Sequence, residues 1–214
     1  GFVLSANVPM KKLLSALTAT SALILSAPVL AEEAAAPITY FTAAKMVDVE
    51  TGKLVDHPLI GVRDGRIVSL VDRRTTSLPA NGKLVDLGNR TLLPGLIDMH
   101  VHLDSLAEVG GYNSLQYTDS FWSMVAVKNA RDMLNAGFTT VRNVGASDYA
   151  DLALKMAIER GAIPGPRIVP ATYAIGATGG HCDSNELPAN YVFDRPGIAD
   201  GPDGVRQKVR ELHR

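Results

Sequence analysis

The sequence predicts an α/β protein: a small β-sandwich-like domain, then the first three βα units of a truncated TIM-type (β/α)8 barrel. Two observations lead to this fold class. Short apolar runs separated by turn residues fill about residues 38–90, as in strands joined by tight turns. From Leu92 onward strand-like and helix-like segments alternate, which is typical of a parallel sheet covered by helices. The predicted divisions are residues 1–36, 37–91 and 92–214.

The clearest signal in the β-rich part is a hairpin. Asp64-Gly65 separates the apolar runs Leu59–Arg63 and Arg66–Val71. Both turn residues tolerate the positive φ that a type I′ turn requires, so the pair favours two antiparallel strands. Lys83–Leu87 alternates as a half-buried strand does. No catalytic constellation is visible in this part of the chain.

Three βα units are predicted after it, and Gly137 and Gly161 are placed to end the first two helices. A barrel of eight units needs about 200 residues or more, so three units cannot close one and the chain is predicted to be truncated. The predicted strands and helices are, in order, Leu92–His102, Phe121–Ala136, Phe138–Val144, Tyr149–Arg160, Arg167–Ala174 and Val205–Arg214.

Composition excludes some classes of function. The 214 residues carry a net charge of -1 without a long basic block, which argues against electrostatic capture of nucleic acid. The single cysteine, Cys182, rules out an internal disulfide framework. We expect it to be a small buried thiol.

The first 36 residues have the layout of a secretory signal peptide. A positive start at Met10–Lys12 precedes the uncharged run Leu13–Leu30, and cleavage is expected after Ala31. We take Met10 as the initiator and residues 1–9 as read-through sequence. The alternative is a membrane anchor, because the run reaches the roughly 18 residues of a minimal span. Its Ser, Thr and Pro content favours a cleaved signal and a periplasmic or secreted protein.

The main chemical feature is the pair His100 and His102. Side chains at i and i+2 of a strand point to the same side, so the strand presents two imidazoles together. They lie at its C-terminal end, where α/β barrels place their active sites. Neutral imidazoles are good ligands for zinc and related divalent ions. Without further context, two hydrogen-bonded strand histidines with no metal would explain the same pattern.

Three segments supply that context. Leu93–His102, which reads Leu-Pro-Gly-Leu-Ile-Asp-Met-His-Val-His, resembles the first-strand signature of the amidohydrolase superfamily. Ala136–Gly145 is similar to its second-strand segment. Ala177–His181, Ala-Thr-Gly-Gly-His, resembles a loop of the imidazolonepropionase-like and Xaa-Pro dipeptidase-like metallohydrolases. With the preceding β-domain, also typical of the group, the resemblance covers nearly all of residues 38–214.

The resemblance implies that His100 and His102 bind a divalent metal, with zinc expected and a binuclear site in the complete protein. It also implies ligands that this chain does not contain: a carboxylated lysine, two more histidines and an aspartate. No catalytic acid or base is therefore assigned within the chain. The sequence departs from the family at Asn143, where an aspartate is common. That exchange would alter either local hydrogen bonding or substrate contact.

Other polar residues near the pair have two readings each. His181 is predicted to bind substrate, or else to be a loop histidine bonded to the backbone. Asp98 would orient a metal ligand or act as an ordinary strand-end carboxylate. Arg142 would bind an anionic substrate group or form a structural ion pair.

The leading functional prediction is an exported, metal-dependent hydrolase of C–N bonds, acting as a dipeptidase or N-acyl amino acid hydrolase. A cyclic amidase or a deaminase on the same fold is the second candidate. The third is a catalytically inactive barrel that serves as a binding module. The expected partner is a small-molecule or dipeptide substrate, with no nucleic acid and no stable membrane insertion, and homo-oligomerisation is left open.

Overall fold

A computed structural model of the protein describes residues 36–79, 82–183, 187–188, 190–191 and 194–213. The predicted signal peptide, including its cleavage point at Ala31, lies outside the described residues. Within them, no helix has both the length and the apolar character needed to cross a bilayer.

Two small sheets form the β-rich part. The first holds four strands in the order β5-β4-β1-β6 and the second holds three in the order β3-β2-β7. The strands of the first sheet are β1 (Thr39–Thr42), β4 (Pro58–Arg63), β5 (Arg66–Asp72) and β6 (Lys83–Asp86). Those of the second are β2 (Lys45–Val47), β3 (Leu54–Asp56) and β7 (Thr91–Leu92).

The predicted hairpin is confirmed. β4 and β5 pair antiparallel, with Arg63 opposite Arg66 across the turn. Asp64 and Gly65 have φ of 50° and 71°, the positive values that the turn type requires. The strand at the start of residues 83–87 is also present as β6, which pairs parallel with β1.

The remainder of the chain alternates strands and helices as predicted. Its sheet has the order β10-β9-β8, and both pairings are parallel. The strands are β8 (Leu96–Val101), β9 (Phe138–Asn143) and β10 (Arg167–Pro170). The helices are α1 (Asp119–Asn135), α2 (Ala150–Glu159) and α3 (Gly201–Leu212), and a 3-10 helix (Gly111–Gln116) lies between β8 and α1. The fold is thus a mixed α/β structure containing part of a barrel.

The prediction of one continuous buried strand over Leu92–His102 is wrong. The chain forms β7, leaves the strand conformation at residues 93–95, and then forms β8 in a different sheet. Pro94 has no N–H to donate to a ladder. Gly95 lies so close to β9 that an added Cβ would come 2.1 Å from Thr139 Oγ1.

Two helices begin earlier than predicted. Thr118 caps α1, and its Oγ1 accepts a hydrogen bond from Phe121 N at 3.3 Å. In α3, Pro202 lies in the first turn, where the missing N–H costs nothing. Pro202 therefore lies in the first turn of this helix, three residues before the predicted start at Val205.

One face of the β8–β9–β10 sheet is buried and the other is open. Side chains on the helical side form a core composed of Leu103, Ala126, Ala130, Val141, Leu154 and Ile168. On the other side Ile97 and Met99 are 61% and 58% exposed. In a closed barrel this face lines the interior, which explains its apolar side chains.

Candidate metal and substrate site

The parallel strands end at one edge, and a cleft of about 940 Å³ opens there. It is lined by His100, near the end of β8, and by residues of the segments that follow β8, β9 and β10. The predicted site residues His100, His102 and His181 all line it, as do Asp104 and Tyr173. The fold thus brings together the three histidines that the sequence singled out.

His100 and His102 are adjacent, with ring centroids 5.5 Å apart and planes at 73°. The strand is irregular at this point: Asp98 pairs with Val141, yet Val101 pairs with Asn143. This spacing places one extra residue on β8, as in a β-bulge. Asp98 Oδ1 accepts a hydrogen bond from His100 N at 3.0 Å. Asp98 therefore supports His100 through the backbone of the bulge and not through its imidazole.

The ring of His102 has a defined tautomer. Its Nδ1 lies 3.0 Å from the carbonyl oxygen of Gly145. A carbonyl only accepts, so Nδ1 must carry the hydrogen and donate it. The lone pair is then on Nε2, and this is the nitrogen that can bind a metal.

Asn143 connects this arrangement to the backbone. The residue is 0% exposed. Its Oδ1 accepts from Leu103 N at 2.8 Å, and its Nδ2 donates to Gly145 O at 3.0 Å. Nδ2 also lies 3.3 Å from Asp151 Oδ2, which accepts from it.

Asp151 is a second buried polar residue, 1% exposed at the start of α2. Its carboxylate accepts from the backbone N–H groups of Leu152, Ala171 and Thr172 at 2.8, 3.0 and 3.0 Å. Thr172 has a φ of 61°, which a β-branched residue rarely adopts. Asp151 thus joins α2 to the turn after β10 and helps to hold a strained residue there.

The loop that carries His181 is held from both sides. Asp183 Oδ2 accepts from Gly179 N at 2.8 Å and from Arg195 Nη1 at 2.9 Å. Asp200 accepts from the backbone N–H and the hydroxyl of Thr178. These carboxylates hold the loop that places His181 in the lining of the cleft. Whether His181 binds substrate or is a loop histidine bonded to the backbone stays a prediction.

The structure also shows where Cys182, Arg142 and Asp104 lie. Cys182 is exposed, not buried, because it follows the Gly-Gly-His turn and lines the cleft. Arg142 is exposed on β9, beside the buried Val141 and Asn143, and does not line the cleft. No ion pair found among the described residues includes it. Asp104, in contrast, does line the cleft, and burial raises the pKa of its carboxyl group although Ser147 N donates to it at 2.8 Å.

The donors present fit part of a metal site. Two imidazoles, one with a set tautomer, supply two ligands, whereas a catalytic zinc takes about three protein ligands and a water. No cluster of three or more His, Cys, Asp or Glu suited to a metal occurs in the part of the chain that the structure describes. His100 and His102 therefore supply two of the ligands that such a site takes.

Sequence reasoning missed the roles of Asp151, Asp183 and Asn129. Asn129, on α1, donates from Nδ2 to the carbonyls of Leu103 and Ser105 at 2.7 and 2.9 Å. Asp151 and Asn129 occupy helix positions that look like ordinary polar faces. The partners of Asn129 lie 26 and 24 residues away, and those of Asp151 after β10 lie 20 and 21 residues away, so no local pattern identifies these contacts.

Comparison with known proteins agrees with this geometry. Ochratoxinase of Aspergillus niger is 34% identical over 139 residues, which is 56% of this chain and 28% of that protein. A solved Xaa-Pro dipeptidase with methionine bound in its active site is 30% identical, with a TM-score of 0.70 over 81% of this chain and 45% of that chain. A prolidase complexed with N-methylphosphonate-L-proline is 34% identical, with a TM-score of 0.69 over 82% of this chain and 43% of that chain.

The chain thus spans less than half the length of these relatives. The amidohydrolase family model matches residues 91–212, which are more than half of the chain. This range contains the β8–β9–β10 sheet, the three helices and all three cleft histidines. The chain belongs to the amidohydrolase family.

Proposed function

We propose that the full-length gene product is a metal-dependent hydrolase of amide bonds, acting on dipeptides or N-acyl amino acids. One observation carries the proposal: His100 and His102 lie side by side in the cleft, and the Gly145 carbonyl leaves Nε2 of His102 available to a metal. Zinc is the expected ion, because imidazole suits it and a catalytic site keeps one position open for water.

The relatives support the class of bond. One relative is a Xaa-Pro dipeptidase with methionine bound in its active site, and another is a prolidase in complex with N-methylphosphonate-L-proline. An amino acid portion in the substrate is what these proteins suggest for this one. Because the chain covers only part of each of them, the activity of the whole protein is our proposal.

In the proposed hydrolysis, this part of the protein would supply two metal ligands and one substrate contact. A bound divalent metal would lower the pKa of a coordinated water and polarise the scissile carbonyl. Within this chain, His100 and His102 would hold the ion. His181 faces the same cleft and would contact the substrate. The proton acceptor and the remaining ligands would come from elsewhere in the protein.

Removal of the metal tests this proposal directly. We expect a chelator to abolish hydrolysis of Xaa-Pro dipeptides and N-acyl amino acids by the full-length protein, and Zn²⁺ to restore it. The assay is release of the free amino acid, with a chelator already saturated with Zn²⁺ as the control. Equal activity of the metal-free protein would contradict a metal-dependent mechanism.

The same preparation separates the other candidates. Turnover of a cyclic amide, or ammonia release from an amino-substituted heterocycle, would favour the second candidate. Zn²⁺ binding without turnover of any of these substrates would favour a binding module.

We also propose that the protein is exported by a cleaved signal peptide. The mature protein, recovered from the periplasm or the medium, is expected to begin at Glu32, because the small residue Ala31 precedes it. N-terminal sequencing is the measurement, and a variant lacking residues 11–31 is the control that should stay in the cytoplasm. An uncleaved product in the membrane fraction would contradict the proposal and favour the anchor.

A further inference from the structure

Asn143 lies between the backbone that directly follows His102 and the Gly145 carbonyl that accepts a hydrogen bond from the His102 ring. Its Oδ1 accepts from the N–H of Leu103, the residue directly after His102. Its Nδ2 donates to Gly145 O, the atom that accepts from His102 Nδ1. A single buried amide thus links β8 to the segment after β9 on both sides of the imidazole.

We propose that Asn143 is a positioning residue that holds the His102 imidazole in its Nδ1–H tautomer and so presents Nε2 to the metal. Only the metal-binding consequence rests on the proposed function. The residue has no contact with the metal or the substrate in this scheme. It acts through Gly145 and His102.

The chemistry of the side chain explains why an amide is used. One side of Asn143 must accept a hydrogen bond and the other must donate one. An aspartate, the residue common here in the family, could keep the bond from Leu103 N but has no hydrogen for Gly145 O. It would face that carbonyl oxygen and the Asp151 carboxylate with negative charge, in a place without solvent to screen it. The role is therefore proposed for this chain alone, in which the Asn143 amide also donates to Asp151.

The surroundings leave little freedom for the amide to reorient. Asn143 is fully buried, and its three hydrogen bonds go to Leu103 just after β8, to Gly145 just after β9 and to Asp151 in α2. Gly145 is equally constrained, since an added Cβ would lie 3.1 Å from Ala174 Cβ and 3.4 Å from His102 Cε1. The backbone of Gly145 therefore lies directly against the ring that its carbonyl orients.

The first test needs no metal and no change at Asn143. Long-range ¹H–¹⁵N correlation spectra of the metal-free full-length protein, labelled with ¹⁵N-histidine, distinguish the hydrogen-bearing ring nitrogen from the one with the lone pair. The His102 signals are assigned by their loss in His102→Gln. We expect the hydrogen on Nδ1, at a pH where the ring is neutral. A hydrogen on Nε2 would overturn the inference.

The second test separates positioning from stability. Asn143→Asp should lower Zn²⁺ affinity roughly 10- to 100-fold, as is usual when a partner that orients a metal ligand is lost. Affinity is measured by competition with a chromophoric chelator. Asn135→Asp, an exposed asparagine at the end of α1, is the matched control and should bind Zn²⁺ like the wild type.

The double variant Asn143→Asp/Asp151→Asn addresses the case in which the single variant folds poorly. It restores an amide–carboxylate pair, so the thermal midpoint should recover in part, but no group donates to Gly145 O. We expect Zn²⁺ affinity to stay low, as in Asn143→Asp, and the ring hydrogen of His102 to be distributed between Nδ1 and Nε2. Recovery of affinity together with stability would show that Asn143 is merely structural and would overturn the proposal.

Failure of the two proposals would look different. If wild-type His102 carries its hydrogen on Nδ1, and the double variant loses that preference, the positioning role stands even when Zn²⁺ binding or hydrolysis is absent. In that event only the proposed function would be contradicted. If the protein hydrolyses its substrate but the His102 tautomer does not depend on Asn143, only the positioning role of Asn143 would be contradicted.

Discussion

Replacing His102 with alanine is expected to lower Zn²⁺ affinity and amide hydrolysis by the full-length protein by more than about 10²-fold. The loss should exceed the roughly 10- to 100-fold cost of removing a partner that only orients a ligand. The reason is that Nε2 of His102 is the ring nitrogen left to bind a metal once Nδ1 donates to Gly145 O. Bound zinc and the initial rate on a Xaa-Pro dipeptide are the measurements.

Two further histidines serve as controls for this result. His181→Ala should impair turnover while bound zinc stays at the wild-type level, because His181 lines the cleft on a separate loop. His57→Asn should leave both unchanged. His57 is exposed between β3 and β4 with a φ of 48°, and asparagine tolerates this backbone conformation. Full zinc retention in His102→Ala would contradict the ligand assignment.

Replacing Asp151 with alanine is expected to destabilise the fold by about 3 kcal/mol, since hydrogen bonds to a charged group are worth about 1.5–3 kcal/mol and buried donors would lose their acceptor. The affected donors are the N–H groups of Ala171 and Thr172 and the amide of Asn143. Thr172 would also lose support for its positive φ. The midpoint of urea unfolding is the measurement.

Asp132→Ala is the matched control for this prediction. Asp132 is also a helical aspartate, but its partner is the exposed Lys128 on the same helix. Solvent screens such pairs, so the midpoint should hardly move. If both variants unfold at the same urea concentration as the wild type, Asp151 does not join α2 to β10 in the way described.

The sequence alone was enough for the alternation of strands and helices, the Asp64-Gly65 hairpin and the adjacency of His100 and His102. Each of these depends on local rules: the period of apolar residues, the φ preferences of turn residues, and the i, i+2 spacing on a strand. The confirmed family resemblance likewise came from short contiguous runs, in which the identity and order of residues carry the signal.

Only the tertiary structure decided how the histidines are oriented. The break before β8 comes where the backbone of Gly95 lies against the side chain of Thr139, and the tautomer of His102 depends on a carbonyl 43 residues further along the chain. Asn143 had two readings from sequence, and its burial beside Asp151 selected the hydrogen-bonding one. Long-range contacts of this kind leave no local periodicity, because their partners are set by the packing of whole elements.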